Sequence, residues 1–305
     1  MPSVSIVVAA YNQAGFLAEA VASVRAQTFA DWELLVVDDG STDETRAVVE
    51  RFAEDSRIRY LPGMHAERAA ARNRGIAATD GALIAFLDAD DVWRPDKLAR
   101  QVAALVEAPE AGACYAVARF VDAGGRPLAE RKPALPPSGR LFPRLVRGNF
   151  IILASMVVRR RCLDAVGGFD ATLPAFGCED WDLWMRVARR YSIVAVDEEL
   201  VRYRQHDGNT SPEQVMASGL AVLDRLYADA AVAGEAGIGH AAARARHVWY
   251  HAGIVAGRRR GAALPLVARA LREHPGTLFS RPAVGALAAV GLPRAVERVL
   301  RALPV

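Results

Sequence analysis

Between residues 3 and 87 the chain alternates four times between a short apolar run and a helical stretch, and no other feature narrows the fold as much. Residues 3–10 are β-rich and almost wholly apolar. Residues 33–38 carry Leu34-Leu35-Val36-Val37, residues 57–62 form a short third run, and residues 83–87 a fourth. Runs that are apolar on both faces suit the buried strands of a parallel sheet. Between them Phe16, Leu17, Ala20, Val21 and Val24 recur at helical spacing to about Gln27. Ser41-Thr42-Asp43-Glu44 has the spacing of a capping box before a helix to about Phe52. The Ala- and Arg-rich stretch 67–78 reads as a third helix, with Gly81 as a turn. The alternation predicts an α/β fold: a doubly wound, Rossmann-like sheet flanked by helices.

The fourth run, Leu83-Ile84-Ala85-Phe86-Leu87, passes directly into Asp88-Ala89-Asp90-Asp91. Carboxylates that end a buried strand lie at the carboxyl edge of the sheet, where open α/β sheets bind ligands. Asp88 and Asp90, two apart, can share one hard cation that grips a diphosphate. A solvated acidic turn ahead of a helix at Pro95 is the alternative for so short a motif. The first run stops at Tyr11-Asn12 and the second at Asp38-Asp39-Gly40. Tyr11 is either a stacking platform for a base or a strand-end aromatic capping the core. Asp38 suits a cap on the following helix.

Pro95 is well placed in the first turn of a helix to about Ala108. Residues 114–121 read as a strand, 123–125 as a turn and 155–159 as another strand. The loop 131–139, with Pro133, Pro136 and Pro137, could border an acceptor site. Gly167-Gly168-Phe169-Asp170 ends a short helix and opens a long loop to Glu179-Asp180. That acidic pair suits the N-terminus of a helix on which Trp181, Trp184, Ala188 and Tyr191 share one face. The two tryptophans read as core rather than as sugar platforms. Residues 192–196 and 200–205 resemble a closing pair of strands. A boundary falls near 208–212, and beyond it come Ala- and Leu-rich helices, clearest at 247–257, 262–274 and 293–303, with a helical hairpin among them and no internal repeat.

The formal net charge of +3 is unevenly placed, since 12 Arg face 7 Asp and Glu from His206 onward. A mildly acidic front argues against nucleic acid as the ligand. The basic tail suits an anionic membrane surface, a partner, or simply a solvated helix face. Cys114, Cys162 and Cys178 lack metal or disulfide spacing, which fits a reducing cytoplasm. No signal peptide is read at Met1-Pro2-Ser3. The apolar run 150–158 is about half a membrane span, so membrane contact would be peripheral.

Taken in order, Ala9-Ala10-Tyr11-Asn12, Asp38-Asp39-Gly40-Ser41, Asp88-Ala89-Asp90 and Glu179-Asp180 resemble the family 2 glycosyltransferases, inverting enzymes with a GT-A fold. The likeness covers about residues 3–206 and is most specific over 4–45. The resemblance implies a GT-A domain over 1–210, with a nucleotide-sugar half (1–110) and an acceptor half (111–210), and an α-helical extension over 211–305. It implies transfer of a sugar from a nucleotide diphosphate sugar to a saccharide or lipid-linked acceptor hydroxyl. Ala9, Tyr11, Asp39, Asp88 and Glu179 fall on substrate-binding positions. Asp90 falls on the direct metal contact for Mn²⁺ or Mg²⁺, with Asp88 by the ribose and metal, and Asp180 on the general base. Tyr203-Arg204-Gln205-His206 and the residues to Ser211 match a closing segment that folds over the diphosphate, so His206 is placed to touch phosphate or metal.

The residues themselves carry part of that chemistry. A carboxylate at Asp39 can accept the N3–H of uracil or thymine, and guanine also offers N–H donors, whereas cytosine N3 has no proton to give. Arg72 and Arg68, on the helix before the acidic strand, could hold the donor. Inversion needs one base on the face opposite the leaving group, and a helix N-terminus keeps Asp180 ionised while lowering its basicity. A metal-dependent nucleotidyltransferase would instead want a Gly-, Arg- or Lys-rich phosphate loop after the first strand, and Tyr11-Asn12-Gln13-Ala14 is not one. An inactive nucleotide-sugar binder or scaffold is the third reading, opposed by the presence of Asp39, Asp90 and Asp180.

Overall fold

The computed structural model describes residues 3–128, 136–174, 177–258 and 260–291. The helix expected at 293–303 and the first half of the 131–139 loop lie outside the described residues. The chain divides into two compact units. The first takes Met1–Leu141, Phe150–Ala175 and Leu183–Asn209, and the second takes Phe142–Asn149, Phe176–Asp182 and Thr210–Val305.

The first unit is built on one sheet of eight strands: β1 (Val4–Ala10), β2 (Trp32–Asp38), β3 (Ile58–Leu61), β4 (Leu83–Asp88), β5 (Val92–Trp93), β6 (Ala113–Val121), β7 (Met156–Arg159) and β8 (Ile193–Arg204). Their spatial order is β3-β2-β1-β4-β7-β6-β8-β5. The first four are mutually parallel, β7 runs antiparallel between β4 and β6, and β6 pairs parallel with β8. The helices along residues 14–190 are α1 (Ala14–Arg25), α2 (Thr45–Glu50), α3 (Glu67–Ala77), α4 (Lys97–Glu107), α5 (Phe142–Leu145), α6 (Arg160–Val166) and α7 (Glu179–Arg190), of which α5 and the start of α7 belong to the second unit. Their apolar faces explain why the strands are hydrophobic throughout. Ile6, Val8, Leu34, Val36, Ala85 and Leu87 are buried in one cluster with Leu17, Ala20, Val21 and Val24 of α1. On the other face Phe86 meets Phe169 edge-on, with ring centroids 5.1 Å apart, and lies 6.1 Å from Trp184. Gly75 lets α3 approach β1, since a Cβ there would come within 2.4 Å of Val7 Cγ1.

Two local expectations need correction. Residues 192–196 and 200–205 are not a pair of strands but the single strand β8, parallel to β6. The polar run Asp197-Glu198-Glu199 is absorbed by register shifts between Ala116 and Ala118 of β6, so a segment that looks like a turn is a bulge. The capping box at Ser41–Glu44 does not form either. Ser41 Oγ accepts the Asn12 N–H at 2.9 Å, and Asp43 Oδ1 takes the Thr45 N–H at 3.0 Å, so Ser41 is already committed to the loop after β1.

The second unit contains α5, α8 (Pro212–Leu226), α9 (Val232–Ala236), α10 (His240–Arg258), α11 (Arg260–Glu273) and α12 (Arg281–Ala289). Helix α8 opens on a capping box: Ser211 Oγ accepts from Gln214 N–H and Gln214 Oε1 accepts from Ser211 N–H, both at 3.2 Å, with Pro212 in the first turn. Val248, Trp249, Ala252, Ala270, Ala283 and Ala286 are fully buried where α10 packs on α11 and α12. Among the described residues no helix is long and apolar enough to cross a membrane.

One core feature of the first unit is electrostatic. Lys97, in the first turn of α4, is fully buried with Nζ 3.8 Å from the centre of the Trp93 ring and no hydrogen-bond partner. Burial pulls its pKa down to about 7, and burial likewise pushes the nearby Cys114 thiol up to about 11. The unfolded chain therefore binds more protons than the native one between about 7 and the ordinary lysine value. The destabilising contribution of Lys97 is complete below that window and is relieved as pH rises through it. Lys97→Met is expected to raise stability at pH 7 by ~1–4 kcal/mol, with the gain shrinking towards pH 10. Urea unfolding across that range checks it, and a gain independent of pH would contradict it.

Candidate active site

The winding of the chain creates the site. From β1 it proceeds outward to β2 and β3, then returns to place β4 on the opposite side of β1. The crevice outside the carboxyl ends of strands at such a reversal is where open α/β sheets bind ligands. The register brings the predicted residues to that crevice, because Ala9 pairs with Asp88 of β4 and Ala10 with Asp38 of β2. Asn12, just beyond β1, adopts a left-handed φ of 52°, which Asn tolerates better than most residues. Its Oδ1 accepts the Thr42 N–H at 2.8 Å and so ties the β1 and β2 loops together.

At the β2 end the two aspartates have different tasks. Asp38 does not cap the next helix. Its Oδ1 accepts the Ser41 N–H at 2.8 Å, and its Oδ2 accepts the Tyr60 hydroxyl of β3. Burial first, and that bond second, push Tyr60 up to about 12. Asp39 is buried too. Its N–H donates to Ala10 O at 2.8 Å, and its Oδ1 accepts the Ala66 N–H at 2.9 Å. Its Oδ2 lies 3.0 Å from His65 Nδ1. Tyr11 does not cap the core: it is 44 % exposed, and it stacks on His65 with centroids 4.3 Å apart at 24°.

At the β4 end, Asp88 pairs with Arg72 of α3, whose Nη2 lies 2.7 Å from Asp88 Oδ1. Arg72 is itself buried, and its guanidinium sits 5.4 Å from the centre of the Phe169 ring. Burial raises the Asp88 carboxyl above its ordinary value, and the Arg72 charge opposes that rise. Arg72 thus holds Asp88 rather than lying free on a helix face. Asp90 Oδ2 lies 2.9 Å from His206 Nε2, and the His206 ring rests 4.7 Å from that of Phe16. Arg204, two residues before His206, is the anchor of this corner. Its Nε donates to Asp90 O at 2.7 Å, its backbone N–H to Asp91 Oδ1 at 2.9 Å and its Nη1 to Ala123 O at 2.7 Å, while Nη2 pairs with Glu19 at 2.5 Å. Asp91 is fully buried, and burial together with the fields of Asp88 and Asp90 pushes its carboxyl well up.

In the first unit, then, Ala9, Tyr11, Asp39, Arg72, Asp88, Asp90 and His206 gather around one sheet edge. Glu179 and Asp180 stand in the first turn of α7 and belong to the second unit. There Asp180 Oδ2 accepts from Asn149 Nδ2 at 3.2 Å, and its Oδ1 accepts the Trp181 N–H at 2.7 Å. Trp181 and Trp184 are fully buried, as expected of core residues. Three contributors were not singled out from sequence: His65, Tyr60 and the side chain of Arg204. Only Arg204 left a trace, as a neighbour of His206.

An open sheet, parallel through its first half, carries acidic strand ends at its winding reversal and an antiparallel strand beyond them; this is the GT-A architecture. A family model for glycosyl transferase family 2 matches residues 5–167, more than half of the chain, which belongs to that family. The chain is 31% identical over 195 residues to UDP-Glc:alpha-D-GlcNAc-diphosphoundecaprenol beta-1,3-glucosyltransferase WfgD of Escherichia coli, covering 64% of this chain and 73% of that protein. It is 34% identical over 209 residues to the O-antigen biosynthesis protein RfbC of Myxococcus xanthus, but these span 67% of this chain and only 16% of RfbC. An uncharacterized glycosyltransferase of Nostoc sp. is 30% identical over 219 residues, 68% of this chain and 66% of that one. Among solved structures, S. aureus TarS in complex with UDP-GlcNAc matches with a TM-score of 0.64 at 17% identity, over 98% of this chain and 90% of that one. Mannosyltransferase PcManGT from Pyrobaculum calidifontis, in complex with GDP-Man and Mn2+, matches with a TM-score of 0.62 at 19% identity, over 98% of this chain and 87% of that one. At these identities the structures establish the fold.

Removing Arg72 would leave the half-buried Asp88 carboxylate beside Asp90 without its nearest counter-charge. Arg72→Met is expected to cost ~3–5 kcal/mol, the range for breaking one side of a buried pair. Urea denaturation at pH 7 measures this, and a loss under ~1 kcal/mol would mean that the pair behaves like a surface ion pair.

Proposed function

We propose that this chain transfers a sugar from a nucleoside diphosphate sugar, a UDP-sugar first among them, to an acceptor hydroxyl with inversion at the anomeric carbon. The observation that carries this reading is the convergence of Tyr11 and Asp39 on one side of the β1 tip with Asp88, Asp90 and His206 on the other. A flat aromatic and a buried carboxylate suit a base that donates N–H. The remaining span to the acidic tip suits a ribose and diphosphate. Names of relatives support the donor and acceptor classes: WfgD is described as using UDP-Glc and a diphosphoundecaprenol-linked saccharide. In this reading residues 1–110 serve the donor, 111–210 the acceptor, and the helices beyond 210 are an accessory region.

The residues of the acidic tip fit a divalent cation. Asp88 gives one oxygen to Arg72 and Asp90 one to His206, and each keeps a second oxygen without a protein partner among the described residues. Among those residues no three His, Cys, Asp or Glu side chains form a closed cage. One or two carboxylates completed by substrate phosphates are how Mg²⁺ is commonly held, and all-oxygen ligation suits Mn²⁺ equally. When bound, the cation would neutralise charge building on the departing diphosphate. Arg72 keeps Asp88 oriented, Arg204 fixes the turn that carries Asp90, and His206 positions the Asp90 carboxylate. Asp180, in the first turn of α7, is the group proposed to take the proton from the acceptor hydroxyl.

Asp180→Asn is expected to retain donor binding and to lose about 10²–10⁴-fold in transfer, read as release of nucleoside diphosphate with acceptor present; unchanged turnover would remove Asp180 as the base. Asp90→Ala is expected to abolish Mn²⁺-dependent binding of UDP in calorimetry, and retention of that binding would place the cation elsewhere. If the basic tail brings the enzyme to lipid-linked acceptors, the full chain should sediment with anionic liposomes and not with zwitterionic ones, with binding weakened by salt. Equal sedimentation with both would end that part of the proposal.

A further inference from the structure

Resting on the reading of Tyr11 and Asp39 as the base slot, we propose that His65 is a built-in stand-in for the nucleobase. It fills the slot in the free chain and has to be expelled by the donor. The imidazole occupies both places assigned to the base. Its plane lies on Tyr11 with centroids 4.3 Å apart at 24°, and its Nδ1 lies 3.0 Å from Asp39 Oδ2 and 3.3 Å from the Asp39 backbone O. With the proton on Nδ1, the ring N–H is directed at the Asp39 backbone carbonyl with carboxylate Oδ2 beside it, so the imidazole stands where a uracil N3–H would reach the carboxylate.

The slot cannot serve both rings. With His65 in place the Asp39 side chain is 4 % exposed, and its other oxygen is committed to the Ala66 N–H. Oδ2 is therefore the acceptor that a base can reach, and only after the imidazole leaves. Departure needs little else to move. The His65 side chain is 45 % exposed and, among the described residues, its outer nitrogen, Nε2, meets only Glu67, 3.4 Å away. Rotation of the side chain frees the slot while the backbone stays tied through Ala66 to Asp39. Gly40, at a φ of 85°, leaves room for that backbone, since a Cβ there would come within 2.9 Å of His65 N. Binding thus exchanges the His65 stack and its Nδ1 contacts with Asp39 for a base stack and a hydrogen bond to the carboxylate. The apparent affinity for the donor falls by the fraction of chains whose slot is empty. A base with no N–H for Asp39 would leave a buried carboxylate unpaired.

Calorimetry of UDP and of Mn²⁺-pyrophosphate with wild type, His65→Ala and Asp39→Asn tests the proposal. His65→Ala is expected to bind UDP about three- to tenfold more tightly and to bind Mn²⁺-pyrophosphate, which carries no base, unchanged. In wild type the His65 ring proton resonances should move out of the Tyr11 ring current as UDP saturates. Weaker or unchanged UDP binding by His65→Ala, or a His65 ring signal indifferent to UDP, overturns the stand-in role. Asp39→Asn separates the two levels. If it binds UDP like wild type, the base slot itself is misplaced; if it loses UDP while His65→Ala gains nothing, only the role of His65 fails.

Discussion

Strand β1 is hydrogen-bonded on one side to β2 and on the other to β4, and the geometry of the site follows from that double pairing. With Ala10 opposite Asp38 and Ala9 opposite Asp88, two acidic strand ends are held one inter-strand spacing to either side of the β1 tip. The apolar residues upstream, Ile6, Val8, Leu34, Val36, Ala85 and Leu87, are buried in one cluster. A one-residue slip of β4 against β1 would turn its core side chains to the opposite face. The hydrophobic register therefore sets the spacing of the carboxylates.

Carboxylates so placed need counter-charges, and the structure supplies them from remote parts of the chain. Arg72 on α3 answers Asp88, and Arg204 at the end of β8 reaches Asp90, Asp91, Ala123 and Glu19 at once. The bonds from Arg204 fix the turn after β4 without consuming the carboxylate of Asp90. That carboxylate meets the imidazole of His206 instead. A turn immobilised through its backbone and neighbouring groups suits the preorganised ligand site proposed above.

The alternation of strands and helices through residue 88 was plain in the sequence because each buried strand is apolar on both faces and ends at a polar tip. The acidic tips could be paired with a sheet edge on that ground alone. β8 was less legible. Asp197-Glu198-Glu199 interrupts its apolar pattern, and only pairing with β6 reveals the run as a bulge. Ser41 does not cap the helix after β2 because a partner 29 residues away, Asn12, claims its hydroxyl, and the Thr45 N–H goes to Asp43 instead. His65 carried no local signal at all. Its meaning depends on Tyr11 and Asp39, which are brought to it by two different strands.

The central claim is that the carboxyl edge of β1, β2 and β4 binds a nucleoside diphosphate with its cation. A crystal structure of the chain with UDP and Mn²⁺, phased to show the Mn²⁺ anomalous signal, tests it most directly. Expected are a uracil ring on Tyr11 with N3–H on Asp39, and Mn²⁺ at about 2.0–2.3 Å from an Asp90 oxygen and the diphosphate. A nucleotide bound away from the β1 tip, or Mn²⁺ coordinated without Asp90 or Asp88, would contradict it.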